Sequence, residues 1–142
     1  MGVLSDLVVA PAGEAERVAQ AQVPSETFGG IDIKGVDSVK FGTLHSILTG
    51  QTFEELLPLY EPVVTVSDDG PWVFQIPPDL VTRLAVLDDA ETAGVARRWA
   101  ATEEFVLDSW AEGEVASTLS AISSLSKRAI ESGQALFLWM SL

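Results

Sequence analysis

The stretch EGEVASTLSAISSLSKRAIESGQALFLWMSL, Glu112 to Leu142, decides how the rest of the chain is read. At about 100° per residue, Val115, Leu119, Ile122, Leu125, Ala129 and Ile130 fall within an arc of about 140°, wide enough to face a core. Ser117, Ser120, Ser124, Lys127, Arg128 and Glu131 fill the opposite side. A one-faced helix is therefore expected from Glu112 to Glu131. Ser109 and Glu112 have the S-x-x-E spacing that satisfies orphan N–H groups at a helix start, and Gly133 suits the left-handed residue that closes one. Lys127 and Arg128 stand near the negative end of the helix dipole, where cations are favoured. Beyond the glycine, Ala135-Leu136-Phe137-Leu138-Trp139-Met140 has no polar alternate. A strand with one wet face would alternate, so Ala135 to Leu142 is expected as a central strand covered on both sides.

Working outward, Leu4 to Ala10 has the composition of a first strand, ended by Pro11 and followed by a short helix over Glu14 to Gln22. Ser25 to Gly30 is expected as a loop hinged at Gly29-Gly30, and Ile31 to Ile33 as a short extended piece. Asp37 or Ser38 can cap a helix running to about Thr49, with Phe41, Leu44 and Leu48 on its apolar face and Gly50 ending it. Thr52 and Glu55 repeat the capping spacing and open a short helix expected to end near Pro58. Pro62 to Val66, the turn residues Ser67-Asp68-Asp69-Gly70, and Trp72 to Ile76 form the clearest hairpin pattern. Pro77-Pro78 then opens a helix with Leu80, Leu84 and Leu87 on one side. A further helix starts at Asp88 or Asp89; Val95, Trp99, Val106 and Trp110 follow its stripe, with a possible break at Thr102-Glu103-Glu104.

The chain's 142 residues suit one domain, 1–142, able to bury about two thirds of its unfolded surface. The expected fold is α/β (α+β): a small mixed sheet of about four strands, including the hairpin and the C-terminal strand, with four to six helices packed on it. With no cysteine, thiol catalysis, disulfides and thiolate metal sites are excluded. The N-terminal residues lack a basic region and a long apolar run, so no secretory signal is expected, and the longest apolar run falls far short of the roughly 20 residues that span a bilayer. A soluble cytoplasmic protein is the expectation. Eight Lys plus Arg stand against 21 Asp plus Glu, a formal net charge of -13. Such a charge repels phosphate backbones and anionic lipid, which argues against nucleic acid and membranes and suits a basic protein partner.

Leu44-His45-Ser46-Ile47-Leu48-Thr49-Gly50 resembles a Leu-His-x-x-Leu-Thr-Gly run of the YfbM-like group of uncharacterised bacterial proteins. The Met1-Gly2 start before a strand, the Pro78-led helix, and the closing helix with its glycine and apolar strand are similar in the same order. The tryptophan that the group carries ahead of the run is replaced here by residues near Val39 to Phe41. The resemblance implies a helix-rich α/β domain and assigns no role to His45 or Thr49.

His45 is the sole imidazole and the one candidate for a catalytic triad, but no G-x-S-x-G elbow is present to expose a serine. A histidine at the margin of an apolar stripe is more often a packed residue making one hydrogen bond. Oxygen-only metal binding would use Glu54/Glu55, Asp68/Asp69, Asp88/Asp89 or Glu103/Glu104, none of which has metal-loop spacing; these read more simply as turn and helix-start residues. Neither G-x-x-x-x-G-K nor G-x-G-x-x-G occurs, so no nucleotide or other cofactor is expected. Trp72, Trp99 and Trp110 are candidates for lining a ligand cleft or anchoring a partner, set against core packing. Two functional readings remain. One is a small acidic, non-catalytic interaction or regulatory protein with a basic partner or self-association; the other is a ligand binder or enzyme with a pocket near His45 that uses carboxylates.

Overall fold

A computed structural model describes residues 3–33 and 35–142; the Met1-Gly2 start lies outside them. In chain order the elements are β1 (Leu4–Ala10), α1 (Ala15–Gln20), α2 (Pro24–Thr27), β2 (Gly29–Asp32), α3 (Ser38–Thr49), α4 (Phe53–Leu56), a 3-10 turn (Leu57–Leu59), β3 (Val64–Thr65), β4 (Trp72–Gln75), α5 (Pro78–Ala85), α6 (Asp89–Ala100), α7 (Glu103–Leu107), α8 (Glu112–Ser132) and β5 (Ala135–Ser141).

The strands form one open sheet in the order β2-β1-β5-β4-β3, antiparallel at every interface. The fold is α+β, as the sequence implied. Among the described residues there are five strands where about four in a mixed sheet were expected, and the extra one is β2. Of the eight α-helices among the described residues, where four to six were expected, α2, α4 and α7 are short, with four, four and five residues, and α2 stands where the loop over Ser25 to Gly30 was expected.

β5 lies in the middle, with Leu138 opposite Leu7 on one side and Phe74 on the other. Because side chains alternate across a strand, Leu136, Leu138 and Met140 join Leu7, Val9 and Phe74 on one face, against Leu80, Leu84, Leu119, Ile122 and Leu125 of α5 and α8. Phe137 and Trp139 join Val8, Ala10 and Val73 on the other, against Val18 and Ala19 of α1. The unbroken apolar run thus has the expected cause: both faces are covered. Burying each such Leu or Phe is worth about 1.5–3 kcal/mol before conformational entropy is counted.

α8 starts at a different cap from the one expected. Ser109 lies outside the helix with a left-handed φ of 58°. The first residue before the helix is Ala111, whose N–H donates to Glu114 Oε1 at 3.1 Å. The carboxylate half of a capping box is made; alanine has no oxygen for the other half. Gly133, at φ 65°, closes the helix. Two residues of the expected stripes face solvent, Ile130 at 50% and Val106 at 61% exposed. Val106 turns outward because the chain breaks between α6 and α7, which resets the helical phase.

Candidate functional site

α3 carries the chemistry-bearing side chains of the chain's first half. Asp37 caps it by accepting the Lys40 N–H at 2.9 Å, and Gly50 ends it at φ 79°. Between those stops, His45 projects inward and is 1% exposed. Its Nδ1 lies 2.9 Å from the Tyr60 hydroxyl and its Nε2 lies 3.4 Å from Asp79 Oδ2. Asp79 occupies the first turn of α5; one turn later, Arg83 Nε contacts its two oxygens at 3.3 and 3.1 Å.

An ionised carboxylate only accepts, so the proton sits on Nε2 and Nδ1 accepts from the phenol. Burial pushes the His45 pKa below 6.5, against the opposing pull of Asp79. Burial also pushes the Tyr60 phenol well above its usual value. The Arg83 hydrogen bond leads the causes that hold the Asp79 carboxyl low. A carboxylate, an imidazole and a phenol in line are the parts of a proton relay, and here burial disfavours the charged form of both rings. The chain of bonds acts as a clamp joining α3, the 3-10 turn and α5. Tyr60 also lines a cleft of 260 Å3 together with Glu54, Leu57, Pro58 and Glu61.

The three candidate tryptophans occupy different settings. Trp99 is fully buried, and its Nε1 donates to the Lys40 carbonyl at 2.9 Å. It meets Phe105 edge-on at 4.8 Å between centroids, and Phe105 meets Trp110 at 5.0 Å. Trp110 is half-buried over Gly35, where a Cβ would come within 3.1 Å of its ring. Trp72 is half-buried on β4, opposite Met140 and Thr65. The fold therefore unites Trp99 with Trp110 in one cluster and leaves Trp72 in the sheet.

That cluster surrounds Lys40, which sequence reasoning missed. Lys40 is 2% exposed. Its ammonium donates to the Gly35 carbonyl at 2.5 Å and to the Asp108 carboxylate, and lies 5.1 Å from the Phe105 centroid and 5.8 Å from that of Trp110. The signal was in the spacing: Lys40 precedes Leu44 and Leu48 by four and eight residues, so it shares their stripe. Tyr60, Asp79 and Arg83 carried no such local mark.

Among the described residues, no three His, Asp or Glu side chains come together to hold a metal ion, and no helix is long and apolar enough to cross a membrane. Between Lys40 and Arg83 the chain has no lysine or arginine, yet it carries Glu54, Glu55, Glu61, Asp68, Asp69 and Asp79.

Comparison with protein-family models and with curated proteins gives no match. Among solved structures the chain is similar to YfbM of Escherichia coli, described as a protein of unknown function, at 15% identity and a TM-score of 0.49, over 96% of this chain and 99% of that one. The likeness is a remote one, to the same group that the Leu44–Gly50 run resembles, and it brings no residue role with it.

Proposed function

We propose that this chain is a non-catalytic interaction protein, acting in the cytoplasm, whose acidic surface engages a basic protein partner. The observation that carries the reading is the segregation of charge: six carboxylates and no cation between Lys40 and Arg83, in a chain of net charge -13. Like-sign fields of this kind steer oppositely charged partners and exclude phosphate backbones. The cytoplasmic placement rests on the sequence alone.

A ligand site reached through Tyr60 is the second reading, favoured by the cleft that Tyr60 lines. Against it, His45 is buried and does not line that cleft, so a ligand there meets the Tyr60 phenol and not the imidazole. The test is affinity capture on the immobilised chain at about 50 mM salt, elution at about 500 mM, and reconstitution with the purified partner. A stoichiometric basic protein whose affinity falls as salt rises supports the proposal. No such partner, or one whose affinity ignores salt, overturns it.

A further inference from the structure

We infer that the partner docks in a trough along the 3-10 turn and the segment leading into the edge strand β3, reaching the start of α5, and that the occupant is an extended basic peptide segment with aliphatic residues between its cations. This rests on the proposed function and deepens it. The 260 Å3 cleft and a second of 510 Å3 share Pro58 and Glu61, and the second shares Gln75 and Pro78 with a third of 240 Å3. Shared lining residues make them neighbours along this face.

Leu59, Val63 and four prolines, Pro58, Pro62, Pro77 and Pro78, line the middle of the trough. Leu57, Leu59 and Val63 are each about half exposed, at 52%, 50% and 54%. A single exposed aliphatic is ordinary; three within seven residues on one groove make a patch that marks a contact surface. The proline floor has fixed φ, so little freedom is lost when it is covered. Glu54 and Glu61 stand on this surface, both exposed and without an ion pair or hydrogen bond among the described residues.

Apolar floor and acidic rim together define the occupant. In an extended segment, side chains alternate, so aliphatic residues at every second position face the floor while lysines or arginines reach the rim. Their alkyl stems also pack well on proline. β3, at the sheet's edge, directly follows Val63, so the trough lies beside the sheet's margin. A second copy of this chain fits poorly: it also carries -13, and its basic pairs Arg97-Arg98 and Lys127-Arg128 lie in helices.

The experiment is an amide-resolved NMR titration with a peptide of about ten residues that alternates lysine and valine, beside decalysine and an alternating glutamate-valine peptide. Three variants at exposed positions accompany it: Glu61→Lys, Leu59→Ser and, as a control acid elsewhere, Asp89→Lys. The expected result is saturable shifts at residues 54–63 and 75–78 for the lysine-valine peptide. Its affinity should fall about five- to tenfold in Glu61→Lys and Leu59→Ser and less than about twofold in Asp89→Lys. Decalysine should bind more weakly, and the acidic peptide not at all. If Glu61→Lys and Asp89→Lys weaken binding equally, or the shifts lie elsewhere, the trough is refuted while the basic-partner reading stands. If no cationic peptide binds at about 50 mM salt, both fall.

Discussion

Lys40 and Asp108 form an asymmetric pair, and removing either partner should have a different cost. Lys40 is 2% exposed, whereas the Asp108 side chain is 53% exposed. In Asp108→Ala, the ammonium stays buried with the Gly35 carbonyl and the faces of Phe105 and Trp110. Stripping one partner from a buried pair costs about 3–5 kcal/mol. Water entering the half-exposed Asp108 position offsets part of this, leaving about 2–3 kcal/mol. In Lys40→Met, the apolar stem is retained and Asp108 returns to water. The loss is then the Gly35 hydrogen bond, about 1 kcal/mol. With Met at position 40, Asp108→Ala should cost almost nothing further, so the double-mutant coupling is about 2 kcal/mol. Urea unfolding followed by tryptophan fluorescence measures all four proteins; for a domain of this size each kcal/mol moves Tm by about 2–4 °C. If Lys40→Met proves as costly as Asp108→Ala, or the two effects simply add, the account of a charge held by its partner is wrong.

Two further predictions follow from local geometry. Burial holds the His45 pKa below 6.5, so on acidification the unfolded chain binds its proton first. Stability should therefore decline as pH falls below about 6.5 and level off beneath the folded value; His45→Gln should flatten that segment of the urea midpoint-against-pH curve, and an unchanged slope would refute the assignment. Gly94 lies inside α6 with nothing within 4 Å of where a Cβ would stand, so Gly94→Ala should add about 1 kcal/mol and raise Tm by about 2–4 °C. In β2, a Cβ on Gly30 would come within 2.3 Å of the Leu7 carbonyl oxygen, so Gly30→Ala should lose at least about 2 kcal/mol in thermal melts.

Elements with strong local chemistry were legible in the sequence. β1 spans the expected residues, Gly50 and Gly133 end their helices, the Thr52–Glu55 capping box forms, and α6 starts at Asp89. Where the stop signal and the structure disagree, a tertiary contact decided. Gly29-Gly30 has the composition of a hinge, yet it is strand, because Gly30 lets β2 approach the β1 backbone at a distance that a side chain would forbid. The site was less legible. Tyr60 and Asp79 reach His45 from 15 and 34 residues away, and no local pattern encodes such a meeting. Lys40 escaped notice because a lysine on an apolar stripe is assigned to solvent by its type; its carboxylate partner lies 68 residues downstream.

The sheet order also bears on how the protein is made. β5 follows every other strand in the chain yet separates β1–β2 from β3–β4. During synthesis, therefore, the β1–β2 and β3–β4 segments cannot join into one sheet until Ala135–Ser141 has left the ribosome. The residues of β1 and β4 that pair with β5 lack their partner for that interval. Chaperone access to those residues before β5 emerges should accordingly bear on yield.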